Sequence, residues 1–164
     1  MIKVLFVCHG NICRSPMAEF IMKDKVNRLS INDRFIIDSR ATSTEEIGNG
    51  IYPEALRTLK KHNILNARHT AKQITINDYL EYDYIFVMDY NNIRMLKYVL
   101  NFDYLDKVQL IGEFMKPNLN IEDPWYTGNF ELVYIQLDTA INIFIEKLTK
   151  EGKIWENISF YLFY

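Results

Sequence analysis

The chain has 164 residues, 49% of them hydrophobic and 24% charged, and a formal net charge of −2. That length suits one domain, and that composition suits a globular protein able to bury a core without disulfides or metals. The charge argues against nucleic acid as a main partner, and the sequence lacks the long apolar run that a membrane span needs. Met1-Ile2-Lys3 leads straight into a strand pattern without a signal-peptide layout, so a cytoplasmic chain is expected.

Residues 2–7 form a continuous apolar run, the pattern of a strand buried on both faces. Residues 15–29 read as a helix, with Ser15 as its N-cap and Pro16 at its first position. Phe35 to Asp38 is a second strand, and Pro53 to His62 a helix with Ala55, Leu56 and Leu59 at helical spacing. Tyr84 to Met88 is a third strand, Asn91 to Leu100 a helix, and Val108 to Ile111 a fourth strand. Asn129 to Lys150 is a long last helix with Phe130, Val133, Leu137, Ile141, Phe144, Ile145 and Leu148 on its inner face. Alternation of this kind predicts an α/β fold: a single-domain three-layer sandwich, with a four-stranded parallel sheet flanked by helices. The domain is expected to span residues 1–150. Gly152 should stop the last helix, and the aromatic tail 151–164 is expected to pack back on the domain.

Between the first strand and its helix stands Cys8-His9-Gly10-Asn11-Ile12-Cys13-Arg14-Ser15. A loop of this length can curl its backbone N–H groups into a nest for an anion. Arg14 can clamp two phosphate oxygens with its planar fork. Cys8 would lie beneath the phosphorus, where guanidinium, amides and the helix N-terminus all favour a thiolate nucleophile. Gly10 and Asn11 sit where positive φ is expected, and Asn11 can hold such a turn by bonding to its neighbours. This is not a nucleotide P-loop, since no Gly-Lys-Ser/Thr follows. The Ser15 hydroxyl has two compatible roles, capping and donation to Cys8. Cys8 and Cys13 are the only cysteines. Cys13 either packs under the loop or captures an oxidised Cys8, which would make the protein redox-sensitive. No Cys/His cluster has metal-site spacing, and no cofactor is expected.

Asp123-Pro124-Trp125-Tyr126 is the second local signal. Asp-Pro commonly opens a turn. Alternatively, two large rings beside a stiffened carboxyl can desolvate it and stack on a substrate ring.

The loop octet, continued through Met17-Ala18-Glu19, closely resembles the low-molecular-weight protein tyrosine phosphatases. The resemblance runs from residue 2 to about 150 through Asp38-Ser39, Glu46-Ile47-Gly48-Asn49, Ala71-Lys72-Gln73-Ile74, Phe86-Val87-Met88-Asp89 and Asp123-Pro124-Trp125-Tyr126. It implies metal-independent hydrolysis of phosphotyrosine through a cysteinyl-phosphate, with Cys8 as nucleophile, Arg14 as phosphate clamp and Asp123 as general acid and base. It implies support roles for Ser39, for His69 behind Asn11, and for Asp89, which otherwise reads as a helix N-cap. Members of that family with a second cysteine at the place of Cys13 are known for protective pairing, which the resemblance implies for Cys8 and Cys13. Partners would be phosphotyrosine proteins, with a tyrosine kinase and its targets as candidates. His9 reads as a loop-rim residue and His62 as a helix-end residue. The family usually ends near Lys150, so the tail is extra.

Ile12 stands where close relatives that hydrolyse phosphoarginine carry Thr, and an apolar wall suits a phenyl ring. Glu45 stands where many members carry an aromatic. It removes one stacking wall and adds negative charge, so basic flanks are expected to be preferred over acidic ones, with Trp125 partly restoring the wall and Tyr126 beside it. Thr127 before Gly128 is an insertion that alters the acid loop. The rival readings are a phosphoarginine phosphatase, an arsenate reductase on the same fold and a non-catalytic phosphotyrosine-binding module. The second needs further cysteines, and the third predicts loss of nucleophile or acid.

Overall fold

The computed structural model describes residues 1–103 and 105–154. Four parallel strands form one sheet: β1 (Ile2–Cys8), β2 (Phe35–Ala41), β3 (Tyr84–Val87) and β4 (Val108–Leu110), in the order β2-β1-β3-β4. The helices are α1 (Arg14–Arg28), α2 (Pro53–Lys61), α3 (Ile76–Glu81), α4 (Tyr90–Leu100), α5 (Pro124–Thr127) and α6 (Phe130–Lys150).

Strand alternation divides the interior into two cores, because successive side chains point to opposite faces. Val4, Phe6 and Phe86 pack with α1, α2 and α6, while Leu5, Val7, Ile85 and Val87 pack with Tyr79, Leu96 and Leu100 from α3 and α4. This is the expected three-layer sandwich. Every residue expected on the inner face of α6 is buried. β1 is central, with β2 on one side and β3 on the other, so the chain order reverses between β1 and β3. Such switch points, at the carboxyl ends of parallel strands, are where open α/β sheets bind ligands. Cys8 lies at that end of β1, and Asp89 follows β3.

Several local expectations need correction. α1 begins at Arg14, one residue before Ser15, and Cys13 is its N-cap without a side-chain bond. Ser15 and Pro16 are therefore the second and third helical residues, because the Ser15 hydroxyl is engaged elsewhere. β2 runs three residues beyond Asp38, where Ala41 N–H donates to the Lys72 carbonyl. α3 was absent from the sequence reading, although Thr75 and Asp78 form a reciprocal capping box at its start. Gly10 does not have positive φ; Asn11 does, at 58°. A Cβ at Gly10 would lie 3.3 Å from Glu46 Cγ, so this glycine makes room for a neighbouring side chain.

Gly152 (φ 68°) ends α6 in a Schellman-type turn, with Lys153 N–H on the Leu148 carbonyl, and Ile154 enters the core. The remaining tail, 155–164, which was expected to fold back, lies outside the described residues.

Candidate active site

Asn11 organises the loop after β1. It is fully buried, and its left-handed backbone aims its N–H at Cys8 Sγ, 3.3 Å away. Its side-chain amide donates to Ser15 Oγ (2.8 Å) and Ser39 Oγ (2.9 Å), while its Oδ1 accepts from the Lys72 N–H (3.1 Å). The Asn11 carbonyl is 2.8 Å from His69 Nε2. A carbonyl can only accept, so Nε2 carries the proton. Burial pushes the His69 ring toward its neutral form, with Lys23 and Arg40 acting the same way and the Asn11 bond and Glu19 opposing.

Ser15 Oγ accepts from Asn11, which leaves its own proton for Cys8 Sγ at 3.0 Å; the alternative acceptor, the Arg40 carbonyl, is at 3.4 Å. The Cys8 sulfur thus receives two donors, a geometry that suits a thiolate. The Ser39 hydroxyl donates to Glu19 Oε2 at 2.5 Å, and Lys23 donates to Oε1 at 2.5 Å. The network is continuous from the Lys23 ammonium to the Cys8 sulfur, and each buried polar group in it is satisfied.

Arg14 is 3% exposed. Its Nη1 donates to Asp89 Oδ2 (2.6 Å) and to the Ile121 carbonyl (3.1 Å), and Nη2 donates to Asp123 Oδ2 (3.0 Å). These bonds take three of the five guanidinium N–H groups, leaving Nε–H and one Nη2–H for an anion. Burial works against the charge, but Cys8, Asp123 and Asp89 outweigh it and raise the guanidinium pKa. Both carboxylates do double service. Asp89 Oδ1 caps α4 through Asn92 N–H (2.8 Å), and Asp123 Oδ1 caps α5 through Trp125 N–H (3.1 Å). The turn and cap readings of these residues are compatible with contact to Arg14. Ile121 N–H donates to the Met88 carbonyl at 2.8 Å, which fastens the Asp123 segment to the end of β3.

A cleft of about 190 Å³ opens above Cys8. Cys8, Cys13 and Arg14 line its floor, and His9, Gly10, Ile12, Glu45, Asp123, Trp125 and Tyr126 line the remainder. Trp125 packs edge-on to Tyr52 (5.2 Å), whose N–H donates to the Ile12 carbonyl, while Tyr126 stands in solvent. Both cysteines are free thiols. Burial, reinforced by Cys8 and Asp123, pushes the Cys13 thiol up and keeps it protonated.

Asn11, Ser15, Ser39, His69 and Asp89 stand behind the cleft as its framework. Three contributors had no assigned role in the sequence reading: Glu19, which fixes Ser39; Glu46, a second carboxylate on the cleft; and the Ile121 carbonyl. Glu19 lies one helical turn after Ser15, on the same face, which is the signal that could have found it. A half-free guanidinium beside a sulfur that accepts from the Asn11 N–H and the Ser15 hydroxyl can bind an oxyanion and attack it.

The family model for low molecular weight phosphotyrosine protein phosphatase matches residues 3–154. The protein of that name from Gallus gallus is 43% identical over 150 residues, covering 88% of this chain and 94% of that protein. Its namesake from Schizosaccharomyces pombe is 41% identical over 141 residues, covering 83% and 90%. Among solved structures, the low molecular weight protein tyrosine phosphatase of Streptococcus pyogenes superposes with TM-score 0.82 at 39% identity, covering 93% of this chain and 97% of that one. YfkJ from Bacillus subtilis gives 0.84 at 32% identity, covering 92% and 96%. A match across nearly the whole chain, joined to a loop and cleft of this construction, means that the chain belongs to the low molecular weight phosphotyrosine protein phosphatase family.

Proposed function

We propose that the protein hydrolyses phosphotyrosine in proteins, in two steps through a cysteinyl-phosphate. Cys8 Sγ attacks phosphorus in line, displacing the tyrosyl oxygen. The loop N–H groups and the free edge of Arg14 hold the equatorial oxygens, and Asp89 and the Ile121 carbonyl keep that edge turned into the cleft. Asp123 gives its proton to the leaving phenolate. As carboxylate it then takes a proton from the water that attacks the intermediate. Ser15 donates to the sulfur as it leaves phosphorus in the second step. Asn11, Ser39 and His69 position the loop without touching substrate.

The observation that carries this reading is the doubly bonded Cys8 sulfur on the floor of a cleft shared with a joined Arg14 and Asp123. Ile12 on the cleft supplies an apolar contact for a phenyl ring, which favours phosphotyrosine over phosphoarginine. No cysteine beyond Cys13 exists to relay a disulfide as an arsenate reductase requires, and nucleophile and acid are both present. The test is hydrolysis of para-nitrophenyl phosphate in the presence of EDTA, with Cys8→Ser as control. Turnover by the parent alone is expected. Activity in the control, or activity that EDTA removes and a metal restores, would overturn the mechanism.

A further inference from the structure

The cleft carries two opposed fields. Its guanidinium, Arg14, lies at the floor, while the mouth carries Glu45 and Glu46. No lysine lines the cleft, and Arg14 is its only arginine among the described residues. The side chain of Glu45 is 70% exposed, and its Oε2 lies 3.0 Å from Nε2 of His9, which is half-exposed. Glu46 is held differently: its Oε2 accepts from Asn49 Nδ2 at 2.6 Å. The loop bearing both is fastened at several points. Thr42 and Ser43 N–H groups bond to the Cys8 and His9 carbonyls, Gly48 N–H to the Ala71 carbonyl, and Ala71 N–H to the Asn49 carbonyl. The backbone that carries the two carboxylates is therefore held at the mouth.

We infer that Glu45 and Glu46 make this a phosphatase for phosphotyrosine flanked by lysine or arginine. The inference rests on the phosphatase reading above and names the substrate class within it. A phosphate seated on Arg14 fixes the tyrosine along the cleft, and the peptide on either side of it must cross the mouth. There an acidic neighbour meets two carboxylates and no fixed cation. A basic neighbour meets two carboxylates, one of them paired only with His9. A guanidinium can share Glu45 with that ring or replace it, with bidentate geometry that the imidazole lacks. The groups are exposed, so the effect belongs to selection and salt dependence rather than to the chemical step.

The experiment compares kcat/KM for two phosphotyrosine peptides identical except for Arg or Glu on both sides of the tyrosine. Para-nitrophenyl phosphate, which has no flanks, is measured alongside. The Arg peptide should be preferred by at least about fivefold at low ionic strength, and the preference should shrink as salt screens the mouth. In the double variant Glu45→Gln, Glu46→Gln the ratio should fall by about threefold or more, and in Glu45→Lys it should fall further. A ratio does not depend on the fraction of active protein, so partial misfolding cannot imitate the result. Equal kcat/KM for the two peptides in the parent, or a preference that survives the double variant, would overturn the inference while leaving the phosphatase reading intact. Absence of para-nitrophenyl phosphate hydrolysis would overturn that reading, and this inference with it.

Discussion

The floor of the cleft and its mouth are built on different principles. At the floor, Asn11 and Ser15 are fully buried, Arg14 nearly so, and each is held by several partners. At the mouth, Tyr126 is 85% exposed and Glu45 is tied only to a half-exposed histidine. Phosphate is the same in every substrate, so its site gains from rigid donors that need no reorganisation. The peptide around it varies, and an exposed rim can change residue by residue without cost to the floor. Substitutions should therefore fall into two classes, with large effects on chemistry and stability from the floor and small effects on selection from the mouth.

The largest separation is expected between Arg14→Lys and the mouth variants. A lysine ammonium cannot satisfy Asp89, the Ile121 carbonyl and Asp123 while offering a planar edge to phosphate, so kcat on para-nitrophenyl phosphate should fall by about a hundredfold or more. A loss under tenfold would mean that the fork is not the clamp. Asp123→Asn should come next, since it keeps the α5 cap but cannot donate a carboxyl proton. Phosphorylation by phenyl phosphate should slow by about 10²–10⁴, and by para-nitrophenyl phosphate much less, because nitrophenolate leaves without protonation. An equal loss for every leaving group in single turnovers would make Asp123 a structural cap, with Asp89 the next candidate for the acid.

Smaller effects should appear in stability. Asn11→Ala leaves the Lys72 N–H and the Ser15 and Ser39 hydroxyls without their partner and places alanine at positive φ. Denaturant unfolding should show a loss of about 2 kcal/mol or more, against about 1 kcal/mol or less for the half-exposed Trp125→Ala. Equal losses would erase the distinction between floor and mouth. The smallest effect concerns pH. Burial lowers the His69 pKa from its ordinary 6.5, so the unfolded chain binds the proton more readily. The stability contributed by neutral His69 is then complete above pH 6.5 and declines as the pH falls below it, until the folded protein also takes the proton. Replacement by Gln should flatten the stability profile of the parent in that acid window, read as the difference between the two proteins. Parallel profiles would mean that folding leaves the His69 pKa where it is in the unfolded chain.

The parts of the site that were legible are those contiguous in sequence. Strand, loop and helix follow each other over residues 2–29, so Cys8, Arg14 and the left-handed Asn11 could be placed from local chemistry. Ser39, His69 and Asp123 arrive from distant segments, and only the resemblance to a family pointed to their roles. Glu19 looked like an ordinary helix carboxylate with Lys23 at i+4; it is buried because the Ser39 end of β2 packs over it. Ser15 looked like an N-cap because Ser-Pro is a helix-start signal, but Asn11 and Cys8 engage its hydroxyl first. α3 escaped because its six residues leave Ile76 and Leu80 exposed, so no apolar stripe announced it. The pairing of His9 with Glu45 was hidden because their contact arises only when the loops after β1 and β2 come side by side.

The central claim is a covalent phosphoenzyme on Cys8, and the direct measurement is to trap it. The protein is mixed rapidly with excess aryl phosphate, quenched in acid within the first turnover, digested, and analysed by mass spectrometry. The account predicts a burst of phenol stoichiometric with enzyme, and a phosphoryl group on the peptide carrying Cys8 that is absent from Cys8→Ser. With para-nitrophenyl phosphate, whose leaving group departs without protonation, Asp123→Asn should slow hydrolysis of the intermediate more than its formation, and steady turnover there without a burst or a phosphopeptide would contradict the account. A phosphoryl group on His9 or Ser15 instead would contradict it as well.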